Sequence, residues 1–252
     1  MERKVALVTG SSKGIGRGIA ICLARAGYDV GINYNSDLEG AEFTAGKVRE
    51  LGGKAIVLKG NIKNLYEIQT LFEGFFKEFD HIDLMVNNAG ITRGMPFLET
   101  TPELWEEVIN TDFRGTYFCG QAAARKMVEK GTRGVIVNIT SNHVTGCFSP
   151  FSVYSAAKAA LDRLTRSMAL ELAEYGIRVV SIAPGCTDLE WFVGDIRENY
   201  VNRVAPRIPL KRFASTEEIG EAVVFLASEK AGFITGTSLT IDGGALLPVA
   251  TM

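Results

Sequence analysis

The sequence predicts an α/β protein: a mostly parallel, doubly wound sheet of about seven strands with helices on both faces, in one domain. Three observations predict it. Short apolar, β-branched runs alternate with longer helix-periodic segments along all 252 residues. The first of these runs passes directly into a glycine-rich turn, Thr9-Gly10-Ser11-Ser12-Lys13-Gly14-Ile15-Gly16, that opens a helix. No linker, repeat or low-complexity stretch divides the chain, so residues 1–252 read as a single unit.

Residues 5–9 are the first strand and residues 15–26 the first helix, which stops at Gly27. Residues 30–33 and 38–51 repeat the pattern, ended by Gly52-Gly53, and residues 55–59 supply the third strand. Residues 65–79 form a helix because Leu65, Ile68, Leu71, Phe72, Phe75 and Phe76 fall on one side of it. Residues 84–86 are the fourth strand. A long helical region follows Pro102, a residue suited to a first helical turn, and breaks near Gly115. Residues 134–140 are a strand, 155–175 a long helix, 178–183 a strand, 216–228 a helix and 238–241 a last short strand. Residues 184–215 read as irregular. Stretches of that length without periodicity are usually functional, so residues 189–213 are expected to be a substrate lid. The plainer alternative is a surface excursion packed on a neighbouring subunit.

Hydrophobic content of 46% and charged content of 22% suit an ordinary globular core. A net charge of −2 argues against nucleic acid or an anionic membrane as partner. No stretch approaches the ~20 apolar residues of a membrane span, and the first apolar run is too short for a signal peptide. A cytoplasmic setting is therefore expected. Cys22, Cys119, Cys147 and Cys186 show no Cys-x-x-Cys spacing, and the chain has two histidines. Reduced thiols and no metal site are the expectation.

Two stretches carry chemistry. In the glycine turn, Gly10 permits tight reversal, Gly14 lets the backbone approach a pyrophosphate, and Gly16 lets the helix pack against the sheet. The helix N-terminus, with Ser12, Lys13 and Ile15 around it, offers free N–H groups and positive dipole to phosphate. In Tyr154-Ser155-Ala156-Ala157-Lys158, a phenol and an ammonium four residues apart share one helix face. A tyrosine ordinarily titrates at about 10. A cation ~4 Å away at an effective dielectric of ~20 favours the phenolate by roughly 4 kcal/mol, about three pKa units, enough for proton exchange near neutrality.

Taken together, the G-x-x-x-G-x-G turn, Asn87-Asn88-Ala89-Gly90 after the fourth strand, Ser141 after the fifth, Tyr154 and Lys158, Pro184-Gly185, and Asp242-Gly243-Gly244 resemble the short-chain dehydrogenase/reductase family in order and spacing. The resemblance covers residues 4–246 and implies a Rossmann-type sheet and a nicotinamide-dependent oxidoreductase. It implies Tyr154 as proton donor and acceptor. Lys158 would lower its pKa and bond the nicotinamide ribose, and Ser141 would hold the substrate oxygen. Asn110, in Val108-Ile109-Asn110-Thr111, is matched to the family's helix asparagine, which holds a water linking the lysine to solvent. Asn88, Ala89 and Gly90 would run under the adenosine ribose. Asn61, where the family usually has an aspartate, and Ile62 would meet the adenine. Pro184, Gly185 and the backbone of Thr187 would meet the nicotinamide, although Leu189 stands where the family often has a threonine.

The second strand ends Asn33-Tyr34-Asn35-Ser36, with no acid before Asp37. A carboxylate there would bond the ribose 2′-OH and repel a 2′-phosphate. Asn35, Ser36 and Lys13 instead favour NADP(H), with NAD the alternative because no arginine clamps the site. The substrate side is expected to include Ser141, His143, Tyr154, Cys186 and Trp191. The run Ser141-Asn142-His143 resembles the glucose and polyol dehydrogenases of the family, while the remainder resembles its 3-oxoacyl-acyl-carrier-protein reductases. The primary expectation is a carbonyl reductase of the latter type acting on a ketone or secondary alcohol. A sugar or polyol dehydrogenase is the alternative, and a nucleotide-binding sensor without turnover is the reading from another class. A carrier-protein partner would need a basic patch, for which Arg125, Lys126, Lys130 and Arg133 are the candidates. The resemblance also implies a homotetramer built on residues 103–130, residues 155–175 and the last strand, with the tail from Leu246 to Met252 against a neighbour.

Overall fold

The computed structural model describes residues 3–247. Seven parallel strands form one sheet in the order β3-β2-β1-β4-β5-β6-β7. They are β1 (Lys4–Val8), β2 (Tyr28–Tyr34), β3 (Ala55–Lys59), β4 (Leu84–Asn87), β5 (Val135–Ile139), β6 (Arg178–Pro184) and β7 (Ser238–Ile241). The helices are α1 (Gly14–Arg25), α2 (Leu38–Glu50), α3 (Leu65–Glu78), α4 (Pro102–Val108), α5 (Thr116–Lys130), α6 (Ser152–Leu172) and α7 (Thr216–Ala227). The order reverses between β1 and β4, which pair through Ala6↔Leu84 and Val8↔Val86. A crevice therefore opens at the carboxyl ends of these two strands.

Two hydrophobic layers explain why the strands are continuously apolar. Alternate residues face opposite ways along a strand. Ala6, Val8, Leu84, Val86 and Val137 pack with α1, α2 and α7 through Ile19, Leu23, Val48, Ile219 and Val223. Val5, Leu7, Met85 and Ile136 pack with α3 and α5 through Leu71, Phe75, Cys119 and Met127. Both faces being covered, no polar alternation is needed. No helix among the described residues is long and apolar enough to cross a membrane.

The predicted elements lie within a few residues of the observed ones, with two differences. The break near Gly115 is a wide, π-type stretch over Ile109–Gly115 that joins α4 to α5. The segment expected to be a lid is not irregular: consecutive helical turns run over Gly194–Ile196, Arg197–Val201, Asn202–Val204 and Ala205–Arg207. Val201, Ile208 and Phe213 are buried there and gather Phe192 and Val204 around them. The spacing of Val201, Val204 and Ile208 is helical, but it is too short a signal to stand out among the surrounding charges. Residues 248–252, most of the tail assigned to a subunit contact, lie outside the described residues.

Helix α7 starts with a full capping box. Ser215 Oγ accepts from the Glu218 backbone N–H at 3.1 Å, and the Glu218 carboxylate accepts from the Ser215 N–H at 2.8 Å. Arg212 grips the same carboxylate with two bonds of 2.7 Å and, with the Ser215 N–H, holds the Glu218 carboxyl down at about 2. Ser215→Ala is expected to cost about 1 kcal/mol and lower Tm by roughly 2–4 °C, measured by calorimetry.

Candidate active site

The crevice is a cleft of about 1090 Å³. Every residue singled out from the sequence as catalytic, cofactor-binding or substrate-binding lines it, except Asn110. Its floor is the glycine turn after β1. Gly10 and Gly14 take positive φ values of 62° and 59°, and a Cβ on Gly16 would stand 2.4 Å from the Gly10 carbonyl oxygen. Only glycine allows α1 to start this close to the sheet.

Amides tie the turn in place. Asn33 Oδ1 accepts from the Gly10 N–H at 3.1 Å while its Nδ2 donates to the Gly60 carbonyl at 3.0 Å. Asn88 Nδ2 donates to the carbonyls of Thr9 and Gly10 at 2.9 and 3.1 Å. Asn87 Nδ2 reaches Asn138 Oδ1 at 2.9 Å, so this pair of amides bridges strands. Asn33 was not singled out from the sequence because, mid-strand, it resembles any polar strand end.

Whether this floor fits a dinucleotide is tested by what rests on it. The Gly14 N–H donates to both carboxylate oxygens of Glu190, at 3.0 and 3.1 Å, and Arg17 Nη1 lies 3.1 Å from the same carboxylate. The Glu190 oxygens stand in for phosphate oxygens at a helix N-terminus. Beside them the Trp191 ring covers Gly14, with Lys13 Nζ 5.4 Å from a ring centroid. The donor set therefore accepts a two-oxygen anion, as a pyrophosphate requires. At the β2 end, Asp37 lines the cleft but its Oδ1 caps α2, accepting from Gly40 N–H at 2.9 Å. Asn35 and Ser36 lie beside it. Arg17, missed because it sits one turn inside α1, adds a cation at this end.

The opposite end holds the groups expected to transfer the proton. Ser141 lies just past β5, and its Oγ accepts from the His143 N–H at 3.3 Å. Helix α6 starts at Ser152, so Tyr154 and Lys158 occupy its first two turns, both buried. Lys158 Nζ is 5.6 Å from the Tyr154 ring centroid and donates to the Ile139 carbonyl at 3.1 Å. Asn110 does not join them: its Oδ1 accepts from Arg114 Nη1 at 3.1 Å. Seven residues of π-type winding turn Asp112 inward instead, and Asp112 Oδ2 lies 3.2 Å from Lys158 Nζ. Asp112 Oδ1 accepts from the Ile91 N–H at 2.8 Å. Burial works against the Lys158 charge, but Asp112 and Tyr154 outweigh it and hold the ammonium above its ordinary range. Burial lifts the Asp112 carboxyl, against the pull of Lys158 and the Ile91 N–H. The sequence signal for Asp112 was an acid one helical turn beyond the apolar pair Val108 and Ile109.

The substrate end is aromatic. His143 stacks on Phe148 at 4.3 Å, meets the Tyr154 ring edge-on at 5.1 Å, and its Nδ1 pairs with Ser155 Oγ at 3.0 Å. Burial lowers its pKa, favouring the neutral imidazole. Across the cleft Phe192, Tyr200 and Phe213 form a cluster with centroid distances of 5.7 to 6.3 Å. Cys186 Sγ lies 3.9 Å from Tyr200 OH, and burial pushes that phenol up to about 12. The four basic residues considered for a carrier-protein patch sit elsewhere. Arg125, Lys126 and Lys130 are on the later turns of α5 and Arg133 follows it, at the end of the sheet where β5 begins. Lys126 pairs with Glu129 and Lys130 with Asp80.

A nucleotide crevice at the switch in strand order, with a buried phenol, ammonium and serine in it, defines a dehydrogenase of Rossmann type. The chain belongs to the short-chain dehydrogenase/reductase family. A family model described as enoyl-(acyl carrier protein) reductase matches residues 10–245. The oxidoreductase YohF of Escherichia coli, itself uncharacterized, is 41% identical, covering 97% of this chain and 96% of its own. The 3-oxoacyl-[acyl-carrier-protein] reductase FabG of Staphylococcus aureus is 36% identical over 96% of this chain and 97% of its own. The crystal structure of acetoin dehydrogenase YohF from Salmonella typhimurium superposes with a TM-score of 0.90 at 38% identity, covering 98% of both chains. NAD(P)-dependent interconversion of an alcohol and a ketone is thus the activity class of this chain.

If the Glu190 carboxylate competes with phosphate, removing its charge should favour the dinucleotide. Glu190→Gln is expected to tighten NADPH binding by about fivefold, the worth of roughly 1 kcal/mol for a partly exposed ion pair. Fluorescence titration of the free protein measures it.

Proposed function

We propose that the protein is an NADP(H)-dependent oxidoreductase for a small ketone that carries a hydroxyl or second carbonyl next to the reacting carbon, together with the matching alcohol. The observation that carries the reading is the buried Tyr154–Lys158 pair lining one cleft with Ser141 and the glycine turn. Bound NADP(H) would supply or take the hydride, held by the glycine turn, Asn88 to Gly90, Pro184, Gly185 and Thr187. The Ser141 hydroxyl holds the substrate oxygen, and the Tyr154 phenol gives that oxygen a proton or takes one from it. Lys158, kept charged, orients the phenol and the ribose.

The preference for NADP(H) rests on Asp37 being engaged as a helix cap and on Lys13 and Arg17 beside the cleft. The small substrate rests on the aromatic cluster of Phe192, Tyr200 and Phe213 closing the far wall. The neighbouring oxygen would be met by His143, whose Nδ1 is held by Ser155; among the described residues its Nε2 has no partner. The solved acetoin dehydrogenase supports the same substrate class. A 3-oxoacyl-carrier reductase, named among the relatives, is the second reading, but the residues considered for carrier contact lie at the other end of the strands. A sugar or polyol dehydrogenase differs from the first reading in substrate length, which the same assay resolves. The protein is also proposed to work in the cytoplasm as a homotetramer, with exposed Trp105, Tyr117 and Leu170 against neighbouring subunits.

Wild-type protein and Tyr154→Phe should be compared with NADPH and NADH on acetoin and diacetyl, β-ketoacyl thioesters and glucose, following nicotinamide absorbance. The expected outcome is turnover of the small diketone or hydroxyketone with NADPH preferred. Tyr154→Phe should lose on the order of 10²–10⁴-fold in kcat while retaining dinucleotide binding. Tight NADPH binding with no turnover on any of these would favour the sensor reading instead.

A further inference from the structure

We infer that Asp112 is a positioning residue of the proton-transfer site, whose negative charge against Lys158 sets the pH at which the reaction turns on. The inference rests on the proposed oxidoreductase reading and adds to it a group that the sequence had assigned as an amide at Asn110. Its basis is geometric. The Asp112 side chain is fully buried, and Oδ2 lies 3.2 Å from Lys158 Nζ. Among the described residues Oδ2 has no partner in hydrogen-bond geometry, whereas Oδ1 is fixed by the Ile91 N–H. Gly90 makes the space: a Cβ there would stand 2.8 Å from Oδ2 and 3.2 Å from Lys158 Nζ. A buried carboxylate oxygen left in this state is costly unless it answers a charge, and the ammonium is that charge.

The charges around Asp112 are few. From α6 it faces Lys158 directly and, through it, Tyr154. Asp162, one turn further on, is engaged by Arg166 and Ser181. On its own helical run, Glu107 pairs with Arg93, and Arg114 is turned to Asn110. The segment after β4 contributes a backbone N–H, and β5 the Ile139 carbonyl that binds Lys158. No further cation from these elements compensates the carboxylate. With a carboxylate in place the field of the ammonium on the phenol is partly cancelled. With an amide it is not.

The sign follows without assigning the proton to one residue. Removing a negative charge lowers the proton affinity of the whole cluster, whichever member releases the proton. Alcohol oxidation needs the cluster to accept a proton, so its acid limb moves to lower pH when the carboxylate is replaced.

The test is Asp112→Asn, which keeps an oxygen for the Ile91 N–H, with Asp112→Ser as a second neutral variant should the first not fold. Two readouts are taken. The pH dependence of kcat/KM for alcohol oxidation is expected to shift its acid-limb midpoint down by between about one and two units, or roughly tenfold more activity per unit below the wild-type midpoint. The second readout needs no turnover. Ultraviolet phenolate absorbance of the cofactor-free protein is titrated, and the Tyr154 contribution is isolated by difference from Tyr154→Phe; its midpoint should move the same way. Uniform loss of activity at every pH, with both midpoints within a few tenths of a unit of wild type, would show a merely structural role and overturn the proposal. Absence of turnover in the wild type, with the phenolate midpoint still moving, would count against the proposed substrate and not against Asp112.

Discussion

A buried ammonium, Lys158 Nζ, is the group around which the rest of the site is arranged. It is held by a carbonyl, Ile139, and a carboxylate, Asp112, and it faces the ring of Tyr154. An isolated buried charge is expensive, and deleting one partner of such a pair typically costs about 3–5 kcal/mol, whereas replacing both by apolar groups is often neutral. Stability alone would therefore not select this pair. On the proposed function its value lies in placing positive charge beside a phenol where water reaches poorly and each charge acts more strongly than in solution.

That delivery depends on the fold at three separate points. β5 ends where its last carbonyl can accept from Lys158 and Ser141 can follow at once. The π-type stretch between α4 and α5 carries Asp112, turned inward to Lys158, and Asn110, turned to Arg114. The turn after β4 contributes Gly90 and the Ile91 N–H, which leave room for the carboxylate and fix one of its oxygens. Each segment comes from a different part of the chain, brought together only because β1, β4, β5 and β6 are adjacent and parallel.

How much of this was legible in the sequence follows the range of the interactions concerned. The strand and helix order was readable because apolar periodicity is local and both sheet faces are covered. The glycine turn was readable because close backbone approach excludes side chains whatever surrounds it. Tyr154 and Lys158 were readable because i and i+4 always share a helix face. Asn110 was misplaced because its assignment rested on a short motif match; the structure turns it toward Arg114, and Asp112, two residues on, is the one that reaches Lys158. Asn33 and Arg17 act through contacts to segments 23 residues or more away, with Gly10, Thr44 and Glu190, that no local pattern announces. The helical turns over residues 194–207 were hidden because half their residues are charged or polar and exposed.

Residues 188–192 show what the glycine turn can hold. Glu190 and Trp191 rest on the glycine turn, with a carboxylate on the Gly14 N–H and an indole over the glycine backbone. A helix N-terminus does not discriminate strongly between carboxylate and phosphate; it favours whichever anion brings more charge and more acceptor oxygens. A pyrophosphate exceeds a carboxylate on both counts, so its arrival would release Glu190 to Arg17 alone or to solvent. Residues 188–192 are continuous with the turns that carry Tyr200 and Val204, both of which line the cleft. The residues that cover the glycine turn and those that form the aromatic wall of the cleft are thus parts of one short stretch of chain.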